Sequence, residues 1–227
     1  MKTIHVIGDS ISIHYGPYLA AYIAPYAHYS RKTGKIGNLD NPEGANGGDS
    51  AMVLDYLRTC IDAGRHWDLL LINCGLHDIK RYTGLRQINP AAYERNVSRI
   101  FDLAGHLSHR CLWLRTTPVI DAIHQARMQE FLRFNADVET YNAIADAVAA
   151  AKGVGGIDLY TFNQALGGAE MYQDHVHFTP EVQQLQAAFI AGAVQVVLAV
   201  TSDSSRPADV ERSDYVPSPE HGPEDPC

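Results

Sequence analysis

The chain has 227 residues, which is enough for one domain with a sizeable core and marginal for two. Hydrophobic residues make up 46 % and charged residues 19 %, an ordinary balance for a globular protein, and the net charge of −8 argues against the basic stripe of a nucleic-acid binder. The charge is uneven: the segment from residue 201 holds seven acids against Arg206 and Arg212, so the body is only mildly acidic.

Taken in chain order, short apolar runs alternate with longer helical stretches. Thr3–Gly8 reads as a strand, with a helix around Gly16–Tyr26 and a weak strand at His28–Ser30. Gly37–Asn46, rich in Gly, Asn, Asp and Pro, is a loop. Asp49 or Ser50 can cap a helix to about Ala63, since Met52, Val53, Tyr56, Leu57 and Cys60 recur at helical spacing. Asp68–Cys74 is a nearly unbroken apolar strand, as expected where both faces are covered. Asn89-Pro90 opens a helix to about Leu107. Arg110–Arg115 is a strand, and a helical segment follows over Gln125–Lys152, with a break expected near Asn135. Gly155–Leu159 is a last short strand. Pro180–Val200 is the closing helix, its buried stripe drawn through Val182, Leu185, Phe189, Ile190, Ala193 and Val197. This alternation predicts a parallel sheet covered on both faces.

Residues 202–227 carry five of the eleven prolines and little that could build a core, so they read as a disordered tail appended to a domain over 1–201. The cysteines Cys60, Cys74, Cys111 and Cys227 lack the paired spacing of a zinc site and read as reduced, mostly buried thiols. No metal or other cofactor is expected. The N-terminal apolar stretch is too short for a signal peptide, and the run Ala187–Val200, interrupted by Gln195, is too short for a bilayer. A cytoplasmic protein without a membrane span is expected.

In open parallel sheets function collects at the carboxyl ends of the strands, and the chemistry-bearing motifs fall there. Gly8-Asp9-Ser10 ends the first strand, Gly75-Leu76-His77-Asp78 ends the third, and Asp174-His175-Val176-His177 precedes the closing helix. A serine hydroxyl needs a base, and a histidine held by an acid three residues away supplies one. His175 competes with His177 for that task, and the Asp-x-x-His spacing favours His177. Asp9 and Asp78 read as braces of their turns. The glycines of Gly44–Gly48 lack the lysine of a phosphate-binding loop.

These blocks resemble, in order and spacing, those of the SGNH/GDSL-type serine hydrolases. Gly8-Asp9-Ser10-Ile11 is similar to the first block and Gly47-Gly48-Asp49-Ser50 to the second. Gly75-Leu76-His77-Asp78 stands where the family usually has Gly-x-Asn-Asp, and Asp174 to His177 matches the fifth. The likeness runs from residue 4 to about residue 195. It implies a flavodoxin-like three-layer α/β/α sandwich with about five parallel strands, and hydrolysis of a small acyl ester, such as an O-acetyl group on a carbohydrate. Ser10, Asp174 and His177 would form the triad, with the N–H groups of Ser10 and Gly48 and the side chain of His77 as oxyanion donors. An imidazole at position 77 would make that donor pH-dependent. His14, Tyr15, Arg115 and Thr116 are candidates for the pocket wall. An acyltransferase on the same triad, or a binding protein with weakened catalysis, are the alternatives.

Overall fold

A computed structural model describes residues 1–203. From residue 204 on, the segment read as a tail lies outside the described residues, as does Cys227. Five parallel strands form the sheet: β1 (Lys2–Ile7), β2 (Ala27–Arg31), β3 (Trp67–Ile72), β6 (Ser108–Leu114) and β7 (Gly155–Ile157), in the order β2-β1-β3-β6-β7. The chain returns from the edge strand β2 to pair β3 against β1, in register Ile4–Leu69 to Ile7–Ile72. That reversal puts the topological switch point between the ends of β1 and β3, where flavodoxin-like sheets place their sites. Leu69 to Ile72 and Trp113 are fully buried, which explains why β3 reads as a continuous apolar run.

The helices are α1 (Ser10–Ile23), α2 (Ser50–Asp62), α3 (Pro90–Leu107), α4 (Asp121–Arg127), α5 (Asn135–Lys152), α6 (Leu159–Leu166) and α7 (Pro180–Asp203). α1, α6 and α7 pack with one another, and α2, α3 and α5 with one another, giving a helical layer on each face of the sheet. The expected α/β/α sandwich is the observed fold.

Several elements differ from the sequence reading, each for a physical reason. α1 begins at Ser10, not near Gly16, because Asp9 caps it and Ile11, Tyr15, Leu19 and Ile23 are buried; that burial outweighs the cost of Pro17 inside the helix. The long segment before Lys152 does break at Asn135 as expected, but the first helix already ends at Arg127 and an extended stretch follows it. There Leu132 pairs in extended form with Arg81, N–H to carbonyl in both directions, at 2.8 and 3.1 Å. Arg81 belongs to a hairpin the sequence did not reveal, β4 (Arg81–Tyr82) and β5 (Leu85–Arg86). Its two-residue turn puts both Thr83 (φ +51°) and Gly84 (φ +87°) in the left-handed region, which a β-branched residue rarely enters. α6 was also unforeseen. On α7 the expected stripe holds at Val182, Ile190, Ala193 and Val197 and fails at two positions. Leu185 and Phe189 are exposed, whereas Gln186 is fully buried and donates from Nε2 to Asn163 Oδ1 of α6 at 2.7 Å. By length and composition alone Pro180–Ala199 is apolar enough to cross a membrane, but Ala187, Ile190 and Val194 join the core and the helix packs along α1.

Candidate active site

Only Gly8 and Asp9 separate β1 from α1. Asp9 Oδ1 accepts the Ile11 N–H at 2.9 Å and caps the helix. Ser10 is therefore the first residue of α1, and its N–H has no preceding helical carbonyl to receive it. Burial pushes the Asp9 carboxyl up in pKa, against the bond from Ile11. The loop carrying the second glycine motif is pinned beside this turn by the Gly47 N–H, which donates to Gly8 O at 2.8 Å. Gly48 has φ +74°, and a Cβ there would lie 2.5 Å from Met52 Sδ, so the position needs glycine. Its N–H is engaged: it donates to Asn46 Oδ1 at 2.9 Å. Gly48 thus stands where the sequence reading needs a donor, but that donor is occupied in this state.

Asp174 is fixed by its own loop. Its Oδ1 accepts the N–H groups of Val176 and His177 at 2.9 and 2.8 Å, and its Oδ2 meets His177 Nδ1 at 2.7 Å. Burial alone would raise this carboxyl, but the bonds from the His177 ring and from the two backbone N–H groups outweigh it and hold the pKa below the usual range. An ionised carboxylate only accepts, so Nδ1 carries the proton and Nε2 is left as the acceptor. Nε2 lies 2.8 Å from Ser10 Oγ. Ser10 and His177 are 4 % and 2 % exposed and so shielded from water, while the Asp174 side chain is 41 % exposed.

His77 follows β3 after Gly75. That glycine has φ +152°, and a Cβ on it would meet Thr116 Oγ1 at 2.2 Å. Burial, then the charges of Lys80 and Arg133, push the His77 imidazole well below its ordinary pKa. A lowered pKa favours the neutral ring, which donates from one nitrogen only. Its Nδ1 is buried with no hydrogen-bond partner among the described residues. Asp78 braces more than its own turn: its carboxyl accepts the Ser50 N–H at 2.9 and 3.1 Å and ties the start of α2 to the end of β3. Burial raises its pKa to about 8.

Of the four candidates for the pocket wall, His14 stands at the site, its ring edge-on to His177 at 5.0 Å. The other three are committed elsewhere. Tyr15 is in the core, and with Arg115 it lines a cavity of about 10 Å³, room for no more than one water. Arg115 pairs with Asp146 and Asp158. Thr116 is buried and donates to Cys74 O at 3.1 Å.

His175, the histidine weighed against His177 as the base, does not reach Ser10. It is buried; its Nε2 meets Asp40 Oδ2 and its Nδ1 meets His124 Nδ1, both at 3.0 Å, in a group the sequence did not single out. Lys80, Phe131 and Arg133 join the same group. The only hint in the sequence was a lysine two residues beyond the third motif. Asp174, His175 and His177 place three ligand-type atoms within 4.8 Å of one another, but each residue makes the hydrogen bonds just described.

Comparison with known proteins bears on the fold and the family. The model of the GDSL-like Lipase/Acylhydrolase family matches residues 6–185. No curated protein matches the sequence. Among solved structures, a lipase/acylhydrolase from Enterococcus faecalis is 18 % identical, with 87 % of this chain and 97 % of that one covered and a TM-score of 0.67. An acetyl xylan esterase from Geobacillus stearothermophilus is 14 % identical (86 % and 93 % covered, TM-score 0.63). A carbohydrate acetylesterase from Sinorhizobium meliloti is 15 % identical (87 % and 100 % covered, TM-score 0.61). At these identities the solved structures establish the fold, and the family model carries the activity: the chain belongs to the GDSL-like lipase/acylhydrolase family and is a carboxylic ester hydrolase.

Proposed function

We propose that the chain removes a small acyl group, an O-acetyl on a carbohydrate alcohol being the class we favour, with Ser10 as nucleophile, His177 as base and Asp174 as its orienting partner. The observation that carries this reading is the unbroken line Ser10 Oγ–His177 Nε2–Asp174 Oδ2, at 2.8 and 2.7 Å. As Oγ attacks the ester carbonyl carbon, Nε2 takes its proton, and Asp174 stabilises the imidazolium that results. The oxyanion that forms meets the free N–H of Ser10 and the neutral His77 ring, with Gly48 N–H joining once Asn46 releases it. His177 then hands the proton to the departing alcohol, leaving an acyl-Ser10 ester. Water, deprotonated by the same Nε2, reverses the sequence and frees the acid.

The acetyl preference is supported by the acetylesterases among the similar structures and by the burial of Ser10, His77 and His177, which leaves little room around the reacting carbon. The test is a series of p-nitrophenyl esters from acetate to octanoate, with acetylated xylan beside it. Rates should fall as the acyl chain lengthens, and a serine-directed phosphonate should label Ser10 alone. Labelling at another residue would sink the assignment, and a preference for octanoate would sink the acetyl reading.

A further inference from the structure

Lys80 and Arg133 are each 1 % exposed, an unusual position for two cations. Both lie against one ring, Lys80 Nζ 4.3 Å and Arg133 Cζ 4.7 Å from the centroid of Phe131. Their polar contacts are mainly to backbone: Lys80 Nζ donates to the Asp40 carbonyl, and Arg133 Nε donates to Leu76 O at 2.8 Å. A single carboxylate comes within ion-pair range, and of Arg133 only. Asp40 Oδ1 is 3.6 Å from an Arg133 Nη, too far for a hydrogen bond, while its Oδ2 is taken by His175. That Nη of Arg133 is buried and makes no hydrogen bond. Two other acids are near. Asp9 is buried with its Oδ1 on Ile11 N–H, and Glu130 is exposed; neither pairs with either cation. His77, His124 and His175 add no negative charge. A buried group with more cations than paired anions is costly unless another anion arrives, and burial together with the neighbouring Arg133 pushes Lys80 down to about 8.

This group adjoins the reacting serine. Arg133 holds the carbonyl of Leu76, the residue before His77, and His175 lies two residues from His177, with ring centroids 5.9 Å apart. We infer that Lys80 and Arg133 form an anion-recognition site beside Ser10, so that the alcohol half of the ester carries a carboxylate or a like anionic group, as an acetylated sugar acid does. The inference rests on Ser10 as nucleophile. Arg133 supplies the open Nη donor, Lys80 the second charge, and Phe131 the apolar wall that keeps water from competing with the substrate's anion.

The test compares acetyl esters that differ by one charge: 3-acetoxybenzoate against its methyl ester, and O-acetylated glucuronic acid against O-acetylated glucose. In at least one pair the charged ester should have a kcat/KM at least tenfold higher, mostly through KM. Arg133→Gln should reduce that ratio at least tenfold, and Lys80→Met should reduce it too. The second variant, a near-isostere, keeps the test decisive if the first fails to fold. Ratios near one in both pairs, with neutral esters still cleaved through Ser10, would overturn the anion site and leave the esterase reading standing. They would mean that the cluster only anchors the Asp40 loop. If no ester is cleaved, calorimetry of 3-acetoxybenzoate on the folded protein decides: binding that Arg133→Gln weakens tenfold upholds the anion site while the catalytic reading falls, and no binding removes both.

Discussion

The two sides of the pocket around Ser10 are built from different kinds of contact. On the triad side most bonds are short-range: Asp9 to the N–H two residues on, Asp174 to the N–H groups two and three residues on, and Asp174 to the ring of His177. On the cationic side each bond spans 40 residues or more. Lys80 reaches Asp40, Arg133 reaches Leu76, His124 reaches His175, and Asp40 reaches His175 across 135 positions. A short-range device is written into a peptide of three or four residues and needs only to be carried to the right place by a strand. A long-range one exists only after the sheet has formed. The difference separates groups that do chemistry on a pre-set local geometry from groups whose arrangement is itself part of the fold's stability.

If that division is right, removing the nucleophile should cost activity and not structure. Ser10→Ala should lower ester turnover by roughly 10⁴-fold or more, with Tm unchanged within a few degrees; a parallel collapse of Tm would blur the distinction. His77→Ala comes next. One oxyanion donor is worth roughly 10²–10³ in kcat, and His77→Asn should restore much of it because an amide can donate in the same place. Full turnover in a folded His77→Ala protein would remove His77 from the mechanism. Asp40 tests the other side. Asp40→Ala leaves Arg133 without its paired carboxylate, and breaking such a partnership costs about 3 kcal/mol, to be read as a lower urea midpoint. A midpoint equal to wild type would show that the long-range side is ornamental to stability.

Asp78 sharpens the comparison through pH. Its native carboxyl is held near 8 by burial, while in an unfolded chain it titrates near 4. Between those values the native state keeps a proton that the unfolded state releases. The stabilising contribution is full at low pH and is lost as pH rises through 8. Tm should therefore fall from pH 5 to pH 8, and Asp78→Asn should flatten that slope. A slope unchanged in the variant would assign the dependence elsewhere.

The same division explains what the sequence could reveal. The motifs around Ser10, His77 and His177 were legible because each is a few residues long; the first two follow apolar strands and the third precedes the closing helix. β3 was legible because both its faces are covered. The hairpin at Thr83-Gly84 was hidden, since threonine is a poor marker for a left-handed turn position. Arg133 was hidden just before the expected break, inside what reads as helix, whereas its neighbour Leu132 pairs in extended form with Arg81, 51 residues away in the chain. The stripe on α7 was misplaced at Leu185 and Phe189 because that helix is apolar nearly all round. Its orientation follows a buried amide, Gln186, finding Asn163 on α6, and no periodicity of one segment contains that information.

With Gly48 N–H as an oxyanion donor, as proposed above, its bond to Asn46 Oδ1 would act as a threshold on the reaction coordinate. A neutral ester carbonyl arriving at Gly48 would exchange one amide hydrogen bond for another of similar strength and gain almost nothing. An oxygen that has taken on negative charge is a much stronger acceptor and displaces Asn46. The donor is thus silent toward the resting substrate and is released only as charge develops, so its binding energy is confined to the summit of the barrier. Asn46→Ala would free the N–H for both states: KM should fall while kcat holds, and an unchanged KM would count against the threshold.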